Sequence, residues 1–362
     1  MKLYTEKSDC CGCGACADVC PKDAVRMVRD REGFLYPEVN RLKCVSCGRC
    51  RQVCPLPRPE PEAAGHTYFG AKAKEEPLRL ASSSGGVFPV LAQYVLARGG
   101  VVYGAAFDQD MAVAHREARN EEELEALKRT KYVQSRLDGV YRQAEAHLKA
   151  GRWVLFCGTP CQVQALRRFL GRPYPTLLAV DLVCYGVPSP GVWEDYVKYL
   201  QRVHGGRLTS FSFRDKRNRN YGRTRAYTAG GREYAAPLGE DPYCRFFFRN
   251  YILRPSCHTC QYCAPERDSD ITIGDFWGVE KVRPEVDDKM GISLVILHTP
   301  QGRAAWEAAR DRLDWFECRR EDALQPRLTG PTPVSERRAA FMRYYRLLPF
   351  SLLLRVAGRK PF

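Results

Sequence analysis

Residues 152–170, "RWVLFCGTPCQVQALRRFL", decide the fold of most of the chain. An apolar run ends at Cys157, a Gly-Thr-Pro turn follows, and a stretch of helical character continues to Leu170. A short apolar run bounded by a turn predicts a buried strand, and a proline near the first helical position predicts the start of a helix. The stretch therefore predicts a strand, a tight turn and a helix, which is the repeating unit of an α/β fold.

The flanking sequence repeats this alternation. Residues 85–100 predict a helix that starts irregularly or late because of Pro89, and residues 101–107, "VVYGAAF", predict a buried strand. A charged helix is expected within 121–130, and further strands at 176–186, 270–278 and 293–299. A chain of 362 residues with 44% hydrophobic content has room for two or three domains with cores of their own.

The 17 cysteines indicate metal ligands. The start of the chain lacks the apolar stretch of a signal peptide, and no apolar run approaches the ~18–20 residues that span a bilayer. A cytoplasmic protein without a transmembrane segment is therefore expected, and its thiols are kept reduced. The formal charge of +15 suggests nucleic-acid binding, but the basic residues are dispersed and no recognised module occurs, which disfavours a nucleic-acid partner.

Two cysteine runs share the spacing C-x2-C-x2-C-x3-C-P, at residues 10–21 and 44–55. In bacterial ferredoxins the fourth cysteine of each such run binds the other cluster. The runs therefore predict two 4Fe-4S clusters, one held by Cys10, Cys13, Cys16 and Cys54 and the other by Cys44, Cys47, Cys50 and Cys20. Zinc modules use four ligands and need no doubled run. Cys11 fits neither run and is interpreted as an inert buried thiol.

Several later features leave alternatives open. The loops "SSSGG" at 82–86 and "GTP" at 158–160 could hold a phosphate at a helix start or could cap those helices only. Cys161, Cys184 and the run Cys257-x2-Cys260-x2-Cys263 form a second constellation of thiols. The basic segment 213–227 is interpreted first as a solvated loop, next as a lid over an anionic substrate with Arg214 and Lys216 as its cations, and last as an RNA-binding arm.

Seven stretches together resemble the coenzyme F420 hydrogenase/dehydrogenase beta-subunit family, which includes 7-hydroxymethyl chlorophyll a reductase-like and vinyl-reductase relatives. They occur in family order and read "SSSGG", "TKYVQS", "LFCGTPCQVQALRRFL", "DLVCYGVPSP", "FSFRDK", "LRPSCHTC" and "SDITIGDFWG". The resemblance implies an FAD-binding α/β body that exchanges electrons with iron-sulfur clusters. The residues implied for FAD are Ser84, Gly85, Gly86, Lys131, Tyr132, Ser135, Gly158, Thr159 and Pro160.

The resemblance also implies a third 4Fe-4S cluster, held by Cys161, Cys184, Cys257 and Cys260, with Cys263 as a possible substitute. The prolines at 55, 57, 59 and 61 favour an extended spacer after the cysteine runs. The expected domains are a dicluster ferredoxin-like head of α+β type at 1–60, a flavin-binding body in two parts at 61–150 and 151–325, and a basic helical tail at 326–362. The tail could bind a membrane surface, a partner subunit or its own core.

Three functions are compatible with these features. The first is an iron-sulfur flavoprotein oxidoreductase that takes electrons from ferredoxin to a small organic substrate, or the reverse. The second is an electron-transfer beta subunit of a larger hydrogenase or dehydrogenase complex acting on coenzyme F420. The third is an iron-sulfur scaffold without flavin. No catalytic residue is assigned, although Asp275, Tyr185 and His258 are acid candidates by residue type.

Overall fold

The computed structural model describes residues 3–59 and 65–358. Its strands are β1 Val25–Arg29, β2 Leu35–Val39, β3 Thr67–Ala73, β4 Val101–Phe107, β5 Val113–Ala118, β6 Val154–Gly158, β7 Leu177–Leu182, β8 Leu208–Asp215, β9 Thr224–Ala229, β10 Arg232–Pro237, β11 Ile271–Asp275, β12 Ser293–Leu297 and β13 Leu313–Cys318. The expected boundary between head and body, at residues 60 and 61, lies outside the described residues.

The α-helices lie mostly between the strands of the body. They are α1 Ala15–Asp18, α2 Arg49–Gln52, α3 Glu76–Leu80, α4 Val87–Leu96, α5 Glu121–Leu127, α6 Val140–Lys149, α7 Pro160–Leu170, α8 Pro190–His204, α9 Pro242–Phe248, α10 Val279–Val282, α11 Pro300–Ala309, α12 Arg320–Ala323, α13 Arg338–Leu347 and α14 Phe350–Gly358. Helix α4 does not start late, because Pro89 falls in its first turn, where a backbone N–H has no partner to lose.

A mixed sheet, eight-stranded within the described residues, forms the centre of the body in the order β13-β3-β12-β11-β7-β6-β4-β5. Strands β4, β6, β7 and β11 are parallel neighbours, whereas β5, β12 and β13 run antiparallel to their partners. Along β6, Leu155 packs toward α4 and α11, while Val154 and Phe156 pack toward α6 and α7. Helices therefore cover both faces of the sheet, and the predicted α/β class is confirmed.

The segment 213–227 is part of a second, antiparallel sheet with the order β10-β9-β8. Phe213 is fully buried in the core that this sheet shares with α8 and α9. Lys216, in the turn between β8 and β9, is also buried. The interpretation of this segment as a solvated loop is therefore wrong, because alternate side chains of an edge hairpin pack inward.

The ferredoxin-like head consists of the β1–β2 hairpin and two single-turn helices, α1 and α2. Each helix follows a glycine in the left-handed region, Gly14 with φ 81° and Gly48 with φ 76°. Such φ values are available to glycine at little cost. The two cysteine runs therefore fold alike, each turning sharply before its short helix.

The head packs directly on the body. The Asp18 carboxylate accepts hydrogen bonds from the backbone N–H of Gly139 (2.9 Å) and of Tyr141 (3.3 Å), at the start of α6. A carboxylate is stabilised there by the free N–H groups and by the helix dipole. Arg168 on α7 donates to the carbonyl of Cys54 at 2.8 Å. Head and body are thus connected at both cysteine runs.

The carboxy-terminal helices α13 and α14 pack on the core of the molecule. Phe341 and Met342 of α13 and Leu353 of α14 are buried in the core that includes α8 and α9. Pro349 separates the two helices. Of the three interpretations of the tail, docking on its own core fits these contacts. Within residues 3–59 and 65–358, no helix has the length and apolar content needed to cross a membrane.

Candidate functional site

The first group of thiols, the proximal set, lies where the head meets the body. It comprises Cys10, Cys13, Cys16 and Cys54. Burial, together with the neighbouring thiols of Cys10 and Cys54, raises the pKa of Cys16 to about 12. Cys10 and Cys16 also lie near Cys13. The structure thus brings together the four cysteines that the ferredoxin spacing predicts for one cluster.

The second group, the distal set, comprises Cys20, Cys44, Cys47 and Cys50 and lies farther from the body. Burial raises the pKa of Cys50, and the nearby thiols of Cys44 and Cys47 raise it further. Cys20 belongs to a small apolar cluster against which Cys44 and Cys50 pack. The last cysteine of the first run therefore sits beside the second run, as the crossed arrangement predicts.

The third group, the body set, comprises Cys161, Cys184, Cys257 and Cys260. Cys161 is in the first turn of α7, Cys184 follows β7, and Cys257 lies in a 3-10 turn, Pro255–Thr259. The pKa of Cys184 is raised well above its usual value by burial and by three neighbouring thiols, those of Cys257, Cys161 and Cys260. Segments far apart in sequence thus converge on one group of sulfurs.

Cys263 is part of the same group. Its thiol lies beside that of Cys260, and this contact lowers the pKa of Cys260 while raising that of Cys263. Cys184 also lies near Cys263. The position of Cys263 is therefore compatible with its substituting for one of the body set.

Cys11 lies between the proximal set and the body set. Its thiol lies beside the thiols of Cys13 and Cys161, and its carbonyl accepts a 2.9 Å hydrogen bond from Gln134. The interpretation of Cys11 as an inert thiol did not anticipate this position. The contact between positions 11 and 161 depends on how the head docks, and no local pattern indicates it.

Backbone N–H groups point at several of these sulfurs. Ala24 donates to the sulfur of Cys20 at 3.2 Å, and Val187 donates to that of Cys257 at 3.4 Å. Hydrogen bonds of this kind stabilise thiolates that ligate iron. Within the described residues, no three Cys, His, Asp or Glu side chains converge closely enough to hold a single metal ion. The donors and the thiol sets fit thiolate-held clusters.

The segments implied for FAD meet at one edge of the body sheet. Gly158 ends β6, and the loop 82–86 lies next to the carboxyl end of β3, where Ala73 donates to the carbonyl of Gly85 at 2.7 Å. Cys184 and Asp275 lie at the carboxyl ends of β7 and β11. This edge is where open α/β sheets bind ligands.

The loop 82–86 is fixed by contacts with β12. The Gly85 N–H donates to the Ser293 hydroxyl at 2.9 Å, and the Ser84 hydroxyl donates to the carbonyl of Ile292 at 3.1 Å. A Cβ atom on Gly85 would lie 2.2 Å from the carbonyl oxygen of Ala71. Gly86, with φ 90°, precedes α4. The Gly85 N–H is therefore engaged inside the protein, and Gly85 is required for the close approach of the loop to β3.

Hydrogen bonds link the three implied flavin segments. The Thr130 N–H donates to Ser83 at 2.8 Å, and Gln162 of α7 donates to the Ser135 hydroxyl at 3.1 Å. The Thr159 N–H donates to the Gln162 side chain at 2.9 Å, and Pro160 is the first residue of α7. Segments 82–86, 130–135 and 158–160 are thus connected by hydrogen bonds.

His115 of β5 completes this network. The sequence patterns do not indicate this residue. Its Nδ1 lies 2.9 Å from the Ser135 hydroxyl and its Nε2 lies 3.0 Å from the carbonyl of Cys157. Burial lowers the pKa of His115 to about 4, so the ring is neutral at physiological pH. A single histidine in an alternating strand carries no sequence signal that separates this position from an ordinary one.

Lys131 and Tyr132 have different environments. The Lys131 ammonium donates to the carbonyls of Ala126 (2.8 Å) and Lys128 (2.7 Å), and burial lowers its pKa to about 7. Tyr132 is surrounded by aromatic rings, with Phe247 at 4.7 Å between centroids. Lys131 therefore binds the carboxyl end of α5 in this structure, while Tyr132 offers an aromatic surface.

A partly buried ion pair joins the hairpin to the sheet edge. Arg214 pairs with Asp275 and donates to the carbonyl of Tyr221 at 2.7 Å. Lys216 donates to the carbonyls of Arg79 and Ser84. Burial lowers the pKa of Lys216 to about 7. The two cations proposed for a lid therefore lie against the loop 82–86 and the end of β11.

The three acid candidates all have protein partners. Asp275 is paired with Arg214, the Tyr185 hydroxyl donates to Asn250 at 2.8 Å, and the His258 Nδ1 lies 2.9 Å from the carbonyl of Thr332. These contacts describe structural roles for all three. No catalytic residue is assigned.

A surface cavity of about 370 Å³ lies beside β3 and β13. Its lining includes His66, Tyr68, Cys318 and Arg320. None of the residues predicted for a cluster or for FAD lines it. The cavity is thus separate from the candidate site.

Two family models match the chain. Residues 9–56 match the 4Fe-4S dicluster domain. Among twelve matching chains of solved structures is one from the xenon-derivatised F420-reducing [NiFe] hydrogenase complex of Methanosarcina barkeri, with 17% identity, coverage of 80% of this chain and 91% of that chain, and a TM-score of 0.47. No curated protein matches. Residues 151–317 match the carboxy-terminal region of the coenzyme F420 hydrogenase/dehydrogenase beta subunit, which is the family that the sequence motifs predict.

Proposed function

We propose that the protein is an iron-sulfur flavoprotein that transfers electrons as the beta subunit of a larger redox assembly. The family match supports the subunit interpretation over a self-contained reductase, because the matching model is described as a hydrogenase/dehydrogenase beta subunit. The dicluster domain supplies the one-electron part of this function. The organic acceptor, coenzyme F420 or another small molecule, is reduced or oxidised at the carboxyl edge of the body sheet.

The contact of Cys11 with Cys13 and Cys161 is the observation that carries the proposal. It brings the proximal set of the head next to the body set, and the body set adjoins the Thr159–Pro160 turn through Cys161. The three sets thus follow one another from the outer end of the head to the sheet edge. A scaffold without redox function does not require this order.

The residues at the sheet edge support FAD by their positions. Iron-sulfur clusters exchange single electrons and FAD exchanges one or two, so a chain that holds both connects carriers of the two kinds. Tyr132 offers an aromatic ring and Thr159 offers a hydroxyl group, and the buried Ser135 connects their segments through Gln162. The neutral His115 ring orients the Ser135 hydroxyl. A phosphate contact by Lys131 requires its ammonium to leave the carbonyls of Ala126 and Lys128.

Cofactor content tests the proposal most directly. Anaerobic purification should yield about twelve irons and one FAD per chain, since three sets of four thiolates hold three clusters. A preparation with about eight irons would remove the body set from the electron path. A flavin-free protein after gentle anaerobic isolation would support the scaffold interpretation instead. Partner subunits that co-purify would support the assembly, and ferredoxin-dependent turnover by the isolated chain would favour the self-contained reductase.

The distal set is the part of the head that an electron carrier can approach. Cys47 is exposed, and Leu42, which precedes it in the same loop, is 98% exposed. Residues 41–59 contain five Arg or Lys residues and no Asp or Glu. An exposed apolar tip surrounded by positive charge complements an acidic carrier protein such as ferredoxin. We therefore place the docking site for the carrier at this loop.

Charge reversal at Arg49 and Arg51 is expected to slow electron entry. The double variant Arg49→Glu/Arg51→Glu should reduce the rate constant for reduction by a bacterial ferredoxin roughly tenfold at low salt, because electrostatic steering is lost. Stopped-flow measurements over a range of ionic strength check this, and the salt dependence should flatten.

The matched control is Arg202→Glu/Arg232→Glu, which reverses two exposed arginines on α8 and β10. Both double variants change the net charge equally. An equal loss of rate in both pairs would assign the effect to total charge, and an unchanged rate for the Arg49/Arg51 pair would remove the docking site from this loop.

A further inference from the structure

Arg254 is fully buried at the contact between head and body. Its backbone carbonyl accepts a 2.9 Å hydrogen bond from the N–H of Cys257, so it immediately precedes the turn that carries part of the body set. Its side chain extends into the head. One residue therefore touches the cysteine sets on both sides of the contact.

The guanidinium makes several directed contacts with the head. Nε donates to the carbonyl of Cys10 at 2.8 Å, and Nη2 donates to that of Leu35 at 2.9 Å. Nη1 donates to the side chain of Gln134 at 3.0 Å, and Nη2 lies 3.7 Å from the sulfur of Cys10. The group stacks over Tyr36 at 4.2 Å. Its orientation is thus fixed by neutral acceptors and an aromatic ring.

The Arg254 guanidinium leaves no room for a side chain at position 12. A Cβ atom at position 12 would lie 2.5 Å from Nη1 of Arg254, which is closer than nonbonded atoms approach. The requirement for glycine at position 12 therefore has a second cause besides the positive φ of 68° at this residue. The cluster loop closes directly onto the guanidinium.

The charge of Arg254 has no carboxylate partner in the part of the chain that the structure describes. Among those residues no Asp or Glu forms an ion pair with it, whereas the buried Arg267 pairs with Asp181 and Arg338 pairs with Glu32. The ionisable groups that interact most strongly with its charge are Cys10, Tyr36, Cys11 and Cys257. A buried charge without an opposite charge costs several kcal/mol, so an anion is expected beside it. The thiolate-held clusters are the anions available here.

We propose that Arg254 is a positioning residue that supplies the positive charge for the iron-sulfur cluster of the proximal set and raises its reduction potential. Reduction adds one negative charge to a cluster, and a cation held nearby stabilises the reduced form more than the oxidised form. The hydrogen bond toward Cys10 acts in the same direction. The inference rests on the dicluster part of the proposed function and needs neither FAD nor the third cluster.

The test is a redox titration of the head clusters in the full chain, followed by electron paramagnetic resonance. In Arg254→Gln the ratio of reduced to oxidised proximal cluster, at the potential where the wild-type cluster is half reduced, should fall at least tenfold, which is 59 mV for a one-electron couple. Arg254→Lys should stay within about threefold of wild type, which is about 28 mV for a one-electron couple, because it keeps the positive charge.

Arg338→Gln is the matched control, because it removes a largely buried arginine, with 12% of its side chain exposed, whose charge is compensated by Glu32 and which contacts the carbonyl of Leu253. Its titration should match that of the wild type. An unchanged titration in a fully loaded Arg254→Gln protein overturns the proposal. A shift of equal size in Arg338→Gln overturns it too, because the effect then does not depend on an uncompensated charge.

Loss of the proximal cluster in one or both Arg254 variants also tests the proposal. If Arg254→Gln does not retain the proximal cluster while Arg254→Lys does, the positive charge is what the cluster needs, and the proposal stands. If both variants lose the cluster, the shape of the guanidinium is required and its charge is not, which overturns the proposal. A protein without FAD but with the expected shift would refute the flavoprotein function and leave this inference intact.

Discussion

Replacing Cys184 with alanine is expected to lower the iron content from about twelve to about eight per chain, since one cluster of four irons is lost. Cys184 is buried among the other thiols of the body set, and alanine there leaves only three of the four proposed ligands. Electron transfer from the reduced head to FAD should fall by more than a hundredfold, because the step then spans the gap that the third cluster fills. Iron and sulfide analysis and rapid-mixing spectroscopy of the flavin measure the two effects.

Cys318→Ala is the control, because this cysteine lies on β13 outside the three sets. It should keep all clusters and the normal rate. A Cys184→Ala protein that keeps about twelve irons would remove Cys184 from the ligand set. Cys260→Ala gives a separate comparison, because Cys263 lies beside Cys260 and is the proposed substitute ligand. Retention of the third cluster in Cys260→Ala and its loss in the double variant Cys260→Ala/Cys263→Ala would identify the substitution.

The sequence predicts the centre of the body sheet well because its strands are continuous apolar runs. The strand expected at 101–107 coincides with β4, and the strand, turn and helix of 152–170 appear as β6 and α7. Strands buried on both faces have this composition wherever they occur. The α/β class follows from their alternation with helices.

The edges of the fold could not be predicted in the same way. Strand β3 lies between β13 and β12, so its place depends on pairings with residues more than two hundred positions away. The segment 213–227, which forms the end of β8, the turn and part of β9, contains five arginines and one lysine, and its composition alone resembles a solvated loop. Its inward residues, such as Phe213, become visible only when the core they enter is known.

The residues of the candidate site fall into the same two groups, those that local spacing predicts and those that depend on tertiary contacts. The proximal and distal sets follow from spacing, because each run fixes its own local geometry. The positions of Cys11, Arg254 and His115 depend on how the head docks and on how β5 lies next to β4. No local periodicity encodes such contacts. Residues that act across the interface between head and body are therefore those that sequence patterns miss.

The loop 82–86 should tolerate no side chain at Gly85. In Gly85→Ala the new Cβ would lie 2.2 Å from the carbonyl oxygen of Ala71 and 2.7 Å from the N–H nitrogen of Ser293, so the loop or β12 must move. Such overpacking, with weakening of the hydrogen bond from Gly85 to Ser293, should cost about 3 kcal/mol. For a body of this size we expect the unfolding temperature to fall by roughly 6–12 °C. Thermal unfolding followed by circular dichroism measures it.

Gly239→Ala is the matched control, since a methyl group at position 239 would meet no atom within 4 Å and the residue has no positive φ. It should unfold at the wild-type temperature. The flavin content of Gly85→Ala, measured below its unfolding temperature, adds a second readout, because displacement of the loop moves Ser84 and, through Ser83 and Thr130, the segment that carries Tyr132. Reduced stability with full FAD content would assign Gly85 to packing alone, and unchanged stability would show that the loop does not pack against β3 as described.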